Sequence, residues 1–68
     1  MLDREKVLHN TKTLMETHPK LRYGQAVFIT MAESYTVCMD LAGKDCDCFH
    51  DDKKVDLFLD KCEEKISQ

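Results

Sequence analysis

The chain contains a single proline, Pro19, and the apolar residues on both sides of it recur at helical spacing. Proline pushes the residue before it out of the α region, so a helix approaching from the N-terminus must stop near His18. That helix is expected from about Leu2 to Thr17, capped by Asp3, with Val7, Leu8, Thr11, Leu14 and Met15 on one face. A proline lacks the N–H that a first helical residue leaves unbonded anyway, so Pro19 is expected to open a second helix. Leu21, Gln25, Phe28, Ala32 and Tyr35 form the stripe of that helix, widened by Val27, Ile29 and Met31. A helix apolar over so much of its circumference belongs at the centre. Gly24 is costly inside a helix, and the economical reason for it is another backbone passing close by.

The pattern breaks between Val37 and His50. Gly43 and the polar run Lys44-Asp45-Cys46-Asp47-Cys48 read as a loop, while Val37–Leu41 suits a short additional helix. A last helix then follows, capped by Asp51 or Asp52, with Val55, Phe58, Leu59, Cys62 and Ile66 as an almost unbroken stripe. Acidic residues begin in its first turn and lysines sit toward its end, which suits the helix dipole. The expected architecture is all-α. Residues 1–68 form one small bundle of three helices, with a short fourth near residues 36–42.

Apolar residues make up 43% of the 68, enough for a folded core despite 34% charged residues. A chain this short hides only about 60% of the surface its unfolded form exposes, so the core is marginal and a homo-oligomer is expected. Residues 1–34 hold five Lys/Arg against four Asp/Glu, and residues 35–68 hold five against nine, giving the net charge of −3. An acidic chain without a basic stripe is a poor ligand for phosphate backbones or anionic lipids, so nucleic acid and membrane are disfavoured as partners. No apolar run approaches the roughly 20 residues needed to span a bilayer, and the charged start Asp3-Arg4-Glu5-Lys6 is no signal peptide. A cytoplasmic location is expected. There the four cysteines would be reduced thiols or metal ligands.

The segment His18-Pro19-Lys20-Leu21-Arg22-Tyr23-Gly24-Gln25 resembles a motif of small bacterial and phage-encoded helical proteins of uncharacterised function. In that family the motif opens a central helix, and an Asp-Pro-Phe-Tyr-type loop and a terminal helix follow. Asp47-Cys48-Phe49-His50-Asp51-Asp52 is similar to the loop, with departures at Lys20, Cys48 and His50. The resemblance implies a compact helical fold in a phage or mobile-element context, and it carries no catalytic residues. Read from the residues themselves, Arg22 and Gln25 lie one turn apart on a shared face. Their guanidinium and amide would bind carboxylates and carbonyls of the Asp45–Asp52 loop, with Gly24 letting the neighbouring element approach and Phe49 plugging the core. Partner binding by the same residues is the alternative.

Only Cys38, Cys46, Cys48 and His50 suggest chemistry. Three thiolates and an imidazole are a ligand set that zinc takes, although the Cys-x-Cys spacing is tighter than the usual Cys-x₂-Cys. The competing reading makes Cys46 and Cys48 surface loop thiols, with Cys38 packed and Cys62 a small core residue. His9 and His18 read as solvent-facing or capping, and the acidic residues from Asp45 to Asp56 lack the order of a calcium loop. No P-loop, dinucleotide-binding glycine turn or His-Glu-x-x-His is present. The expected function is a non-enzymatic protein-interaction or accessory role, with interfaces sought around Tyr23, Tyr35 and the acidic loop. A zinc-binding or redox-responsive module is the first alternative, and a helix-turn-helix nucleic-acid binder, permitted by the break at Pro19, is the second.

Overall fold

A computed structural model describes residues 2–67 as an all-α fold, with no strand among them. Helix α1 spans Arg4–Thr17, α2 spans Tyr23–Ser34 and α3 spans Val55–Ile66. Two 3₁₀ segments, Thr36–Leu41 and Asp52–Lys54, stand between α2 and α3. Asp3 caps α1 as expected, accepting from the Lys6 amide at 3.1 Å. The last amide bond of α1 runs from His18 to Leu14, and the chain leaves the helix ahead of Pro19.

The second helix starts later than its proline suggested. The His18 carbonyl accepts from the Leu21 amide at 3.0 Å, which closes Pro19 and Lys20 into a turn. Arg22 stays extended as the N-cap, so α2 begins at Tyr23. After this five-residue connection α2 runs back along α1, and Ser34 and Tyr35 share a cleft with Asp3 and Val7.

The inward faces also differ in detail from the expected stripes. In α1 only Val7 and Thr11 are buried, Leu14 and Met15 are half-buried, and Leu8 is exposed. Thr11 is tolerated inside because its hydroxyl donates to the Val7 carbonyl at 2.8 Å. In α2 the buried face is Gly24, Ala26, Val27, Thr30 and Met31, while Leu21, Gln25, Phe28, Ala32 and Tyr35 are half-buried. The deepest line therefore runs mostly through small residues, where the loop and 3₁₀ segments can approach. In α3 the expected stripe holds: Val55, Phe58, Leu59 and Cys62 are buried and Ile66 is half-buried.

Leu2, Val7, Val27, Met31, Leu41, Val55, Phe58 and Leu59 pack with four buried cysteines into one core. Phe28 stacks on Phe58 at 5.3 Å between ring centroids, and Phe49 meets Phe28 edge-on at 5.6 Å. These aromatic contacts join α2, the loop and α3, and pairs of this geometry add about 1 kcal/mol each beyond burial. At the rim, Arg4 on α1 donates to Glu63 at 2.9 Å and to Asp60, both on α3. All three side chains are solvent-accessible, so this fork orients α1 against α3 more than it stabilises the fold.

Candidate functional site

The region His18–Gln25 meets the Asp45–Asp52 loop at Gly24. The Gly24 amide donates to Asp52 Oδ1 at 2.8 Å, and the Gly24 carbonyl accepts from the Cys48 thiol at 3.2 Å. A Cβ built on Gly24 would stand 2.1 Å from the Cys48 carbonyl oxygen and 3.2 Å from Asp52 Cα. The loop backbone therefore passes through the space that any side chain here would fill. Gly24 is the second residue of α2, the position whose amide an N-cap side chain normally serves. Arg22, the actual N-cap, has no acceptor to offer, and Asp52 supplies one from 28 residues away.

Arg22 and Gln25 do not make the tie that their spacing suggested. Arg22 is exposed, Gln25 is half-buried, and neither side chain is among the hydrogen-bonded groups of the described residues. The work falls to backbone atoms of Gly24 because the loop comes closer than two long side chains would allow. Phe49 is half-buried against Phe28 and lies over the core instead of plugging it. Asp52 is the residue that sequence reasoning missed in this role. Its only signal was its place beside Asp51 ahead of α3, yet neither acid caps that helix: Asp51 caps the 3₁₀ segment, accepting from the Lys53 amide at 3.0 Å, and the N-cap of α3 is Lys54 without a side-chain bond. Replacing Asp52 with Ala is expected to lower stability by about 1 kcal/mol, the usual worth of a helix cap, read as a shift in urea midpoint. An unchanged midpoint would show that water serves the Gly24 amide equally well.

Cys46 and Cys48 are not surface thiols. Cys38, Cys48 and Cys62 are fully buried and Cys46 is only 6% exposed. Asp47 turns the chain between them, accepting from the Gly43 amide at 2.7 Å and the Phe49 amide at 2.8 Å. That reversal, entered through Gly43 at φ +77°, aims the flanking cysteines inward. His50 points the other way, exposed and edge-on to Phe49 at 4.9 Å. The quartet Cys38, Cys46, Cys48 and His50 is thus not gathered, and no group of three or more His, Cys, Asp or Glu among the described residues is arranged to hold a metal. The residue that joins the other three thiols is Cys62 of α3, which its position on the apolar stripe foreshadowed.

Burial raises these thiols. Desolvation, with Asp47 adding to it, pushes Cys48 up to about 12, and desolvation with the Cys38 contact raises Cys62. Cys38 is raised by burial too, against opposing pulls from Cys62 and Lys65. An activated nucleophile needs the opposite shift and access to solvent.

Two surface concavities lie along α1. A polar cleft of about 330 Å³ is lined by Asn10, Thr13, Thr17, His18, Glu33 and Ser34 among others. Its threonine hydroxyls are already engaged, Thr13 with the His9 carbonyl and Thr17 with the Thr13 carbonyl. The second is an open groove of about 480 Å³ lined by Leu8, Thr11, Lys12, Met15, Glu16 and Tyr23. Leu8 and Tyr23 are 41% and 39% exposed there. The Tyr23 phenol is raised by partial burial and by Asp56 and Cys48, which places it where α2 and α3 both begin. Tyr35, by contrast, packs half-buried against the core.

No family model matches the chain, and neither a curated protein nor a solved structure matches it. Among the described residues, no helix is long and apolar enough to cross a membrane.

Proposed function

We propose that this chain is a non-enzymatic protein-binding module that takes an amphipathic helix of a partner into the groove beside α1. The observation that carries this reading is the apolar groove itself, in which Leu8 and Tyr23 present large side chains to solvent beside the half-buried Met15. Leu8 and Met15 are two helical turns apart, a span suited to apolar anchors at i, i+3 or i+4, and i+7 of a docked helix. Tyr23 closes one end with an aromatic ring, the residue class that most often anchors interfaces. Lys12 and Glu16 bring both signs of charge to the groove and would set the register of the docked helix. The buried thiols of Cys48 and Cys62, which resist ionisation, are poorly suited to act as nucleophiles, which supports the non-enzymatic half of the reading. The resemblance of His18–Gln25 to phage-encoded proteins agrees with a small cytoplasmic accessory role in a phage or mobile-element setting.

The test is selection of helical peptides against the folded protein from a library patterned with apolar residues at i, i+3/i+4 and i+7. Leu8→Asp is expected to weaken the selected binder by at least about tenfold, some 1.4 kcal/mol, without unfolding the protein. Met39→Asp, on an exposed side chain outside the groove, is expected to leave binding unchanged. Binders equally sensitive to both changes would move the site away from α1. The same face is where a second copy of this chain would sit. Sedimentation showing a dimer that Leu8→Asp disperses would make the chain its own partner.

A further inference from the structure

On a face of α1 separate from the groove, α1 and α2 meet through polar side chains. Asn10, Thr13 and Thr17 recur on α1 at steps of three and four, and Thr30, Glu33 and Ser34 do so on α2. With Leu14 and His18 they line the cleft of about 330 Å³, within the range of about 300–1,000 Å³ usual for small-molecule sites. Thr30 is only 6% exposed. Unlike the hydroxyls of Thr11, Thr13 and Thr17, its own makes no hydrogen bond among the described residues. No wholly buried side-chain nitrogen or oxygen among those residues lacks a partner, so the Thr30 hydroxyl reaches the open space of the cleft. A valine here would have nearly the same shape without an unbonded hydroxyl to desolvate.

The rest of the lining is rich in acceptors. A hydroxyl has one hydrogen and two lone pairs, and Thr13 and Thr17 donate theirs to the carbonyls of His9 and Thr13. Only lone pairs are left for these two to turn to the cleft. Glu33 adds a carboxylate that joins none of the ion pairs among the described residues. It stands in the last turn of α2, and neither that turn nor the last turn of α1 holds a basic residue. Thr17 and Ser34 therefore bring the negative ends of two helix dipoles to the cleft, where a cation is favoured. Lys6 lines the adjoining cleft with Asn10 and Ser34, yet it pairs with no acid.

We propose that this cleft is a binding site for an alkylguanidinium group. Glu33 is its counter-ion, the Thr13, Thr17 and Thr30 hydroxyl oxygens accept from its N–H groups, and the half-buried Leu14 packs on its alkyl stem. A guanidinium suits two facing rows of acceptors better than an ammonium does. Its donors spread over a planar fork and accept nothing, whereas the three donors of an ammonium diverge from one atom. The site is open to water and holds one carboxylate, so binding is weak and falls as salt rises. The function goes beyond helix docking in the groove, since the two sites use different residues of α1.

The experiment titrates n-butylguanidinium into the isotope-labelled protein at low salt and about pH 8, where histidine side chains ordinarily carry no charge. Amide NMR shifts are followed up to about 20 mM, far below denaturing concentrations. The expected result is saturable movement of the Asn10, Thr30, Glu33 and Ser34 amides, with a dissociation constant on the order of 1 mM. n-Butylurea has the same shape without the charge and is expected to bind at least about tenfold more weakly. Glu33→Gln, at an exposed position, is expected to cost about the same factor. Thr30→Val is expected to weaken binding roughly threefold or more, and Glu33→Gln carries the test alone if that variant folds poorly. Leu8→Asp in the groove is expected to leave binding unchanged, so this site and the helix-docking site can fail independently. N-acetylarginine N-methylamide separates the sources of the group: binding equal to that of butylguanidinium assigns an arginine of a partner, and weaker binding assigns a free small molecule. Shifts centred on Asp45–Asp56, butylurea binding equally well, full affinity in Glu33→Gln or no saturable shift would each overturn the proposal.

Discussion

Gly24→Ala is expected to destabilise this protein by about 2–4 kcal/mol, although it adds only one methyl group. Helix propensity alone predicts the opposite sign, since alanine is better than glycine inside a helix by about 1 kcal/mol. The new Cβ, however, would sit 2.1 Å from the carbonyl oxygen of Cys48, an atom of the main chain that no rotamer change can move. Relief requires the loop to shift outward. That shift breaks the Gly24 amide bond to Asp52 and the Cys48 thiol bond to the Gly24 carbonyl. Overpacking and the loss of one part-buried and one buried hydrogen bond together exceed the propensity gain. Globular chains hold roughly 0.05–0.15 kcal/mol per residue, so 68 residues have only about 3–10 kcal/mol to lose. Urea denaturation followed by circular dichroism reads the result. A Gly24→Ala variant as stable as the parent would mean that the loop does not lie against α2 in solution.

The second large effect is alkaline. Unfolded cysteine ionises near its ordinary value of 9.0, whereas Cys48 is held up to about 12 and Cys38 and Cys62 are also raised. Above pH 9 the unfolded chain gives up these protons while the folded chain keeps them. The native state then binds more protons, and stability falls as pH rises. The contribution of the buried thiols is fully present below pH 9 and, for Cys48, is lost progressively up to about pH 12. Each thiol that stays protonated removes about 1.4 kcal/mol per pH unit in that window. Cys48 alone removes a few kcal/mol by about pH 11, and Cys38 and Cys62 act in the same direction. Urea midpoints measured every half unit from pH 7 to pH 10.5, under reducing conditions, give the slope directly. A flat profile through pH 10 would show that the thiols reach solvent in the native ensemble.

These two predictions fall on the features that were least legible in the sequence. Helix α3 could be read from its residues because every position on its stripe is apolar and most positions between them are charged. The cap of α1 was equally plain, since Asp3 needs only the amide three residues ahead. Gly24 announced a close approach by its cost in a helix, but not which strand of chain approached. Its partner came from the loop between Gly43 and Asp52, a segment whose alternating Asp and Cys looks solvated.

The errors share one cause. Val7 and Leu8 are both apolar and adjacent on α1, and nothing local says which faces inward; packing against α2 chose Val7 and left Leu8 to form the groove. Arg22 and Gln25 are placed on one face by helical spacing, yet the short distance between the loop and α2 left them no role in the contact. His50 follows Cys48 by two residues, but the turn made by Asp47 and the contact with Phe49 send it outward, while Cys62 arrives from another helix.

What the sequence determined by itself is therefore local: the helical periodicities, the stop at Pro19, the cap at Asp3 and the all-α class. Each depends on bonds or spacings within a few residues, and the energy that selects them is already present in a short segment. Only the tertiary structure decided that Asp52 caps a helix 28 residues away, that four cysteines share one interior and that Leu8 and Tyr23 stay in solvent. Those outcomes depend on which surfaces meet when three helices and a loop compete for one small core, and adjacent apolar residues cannot all be buried in it.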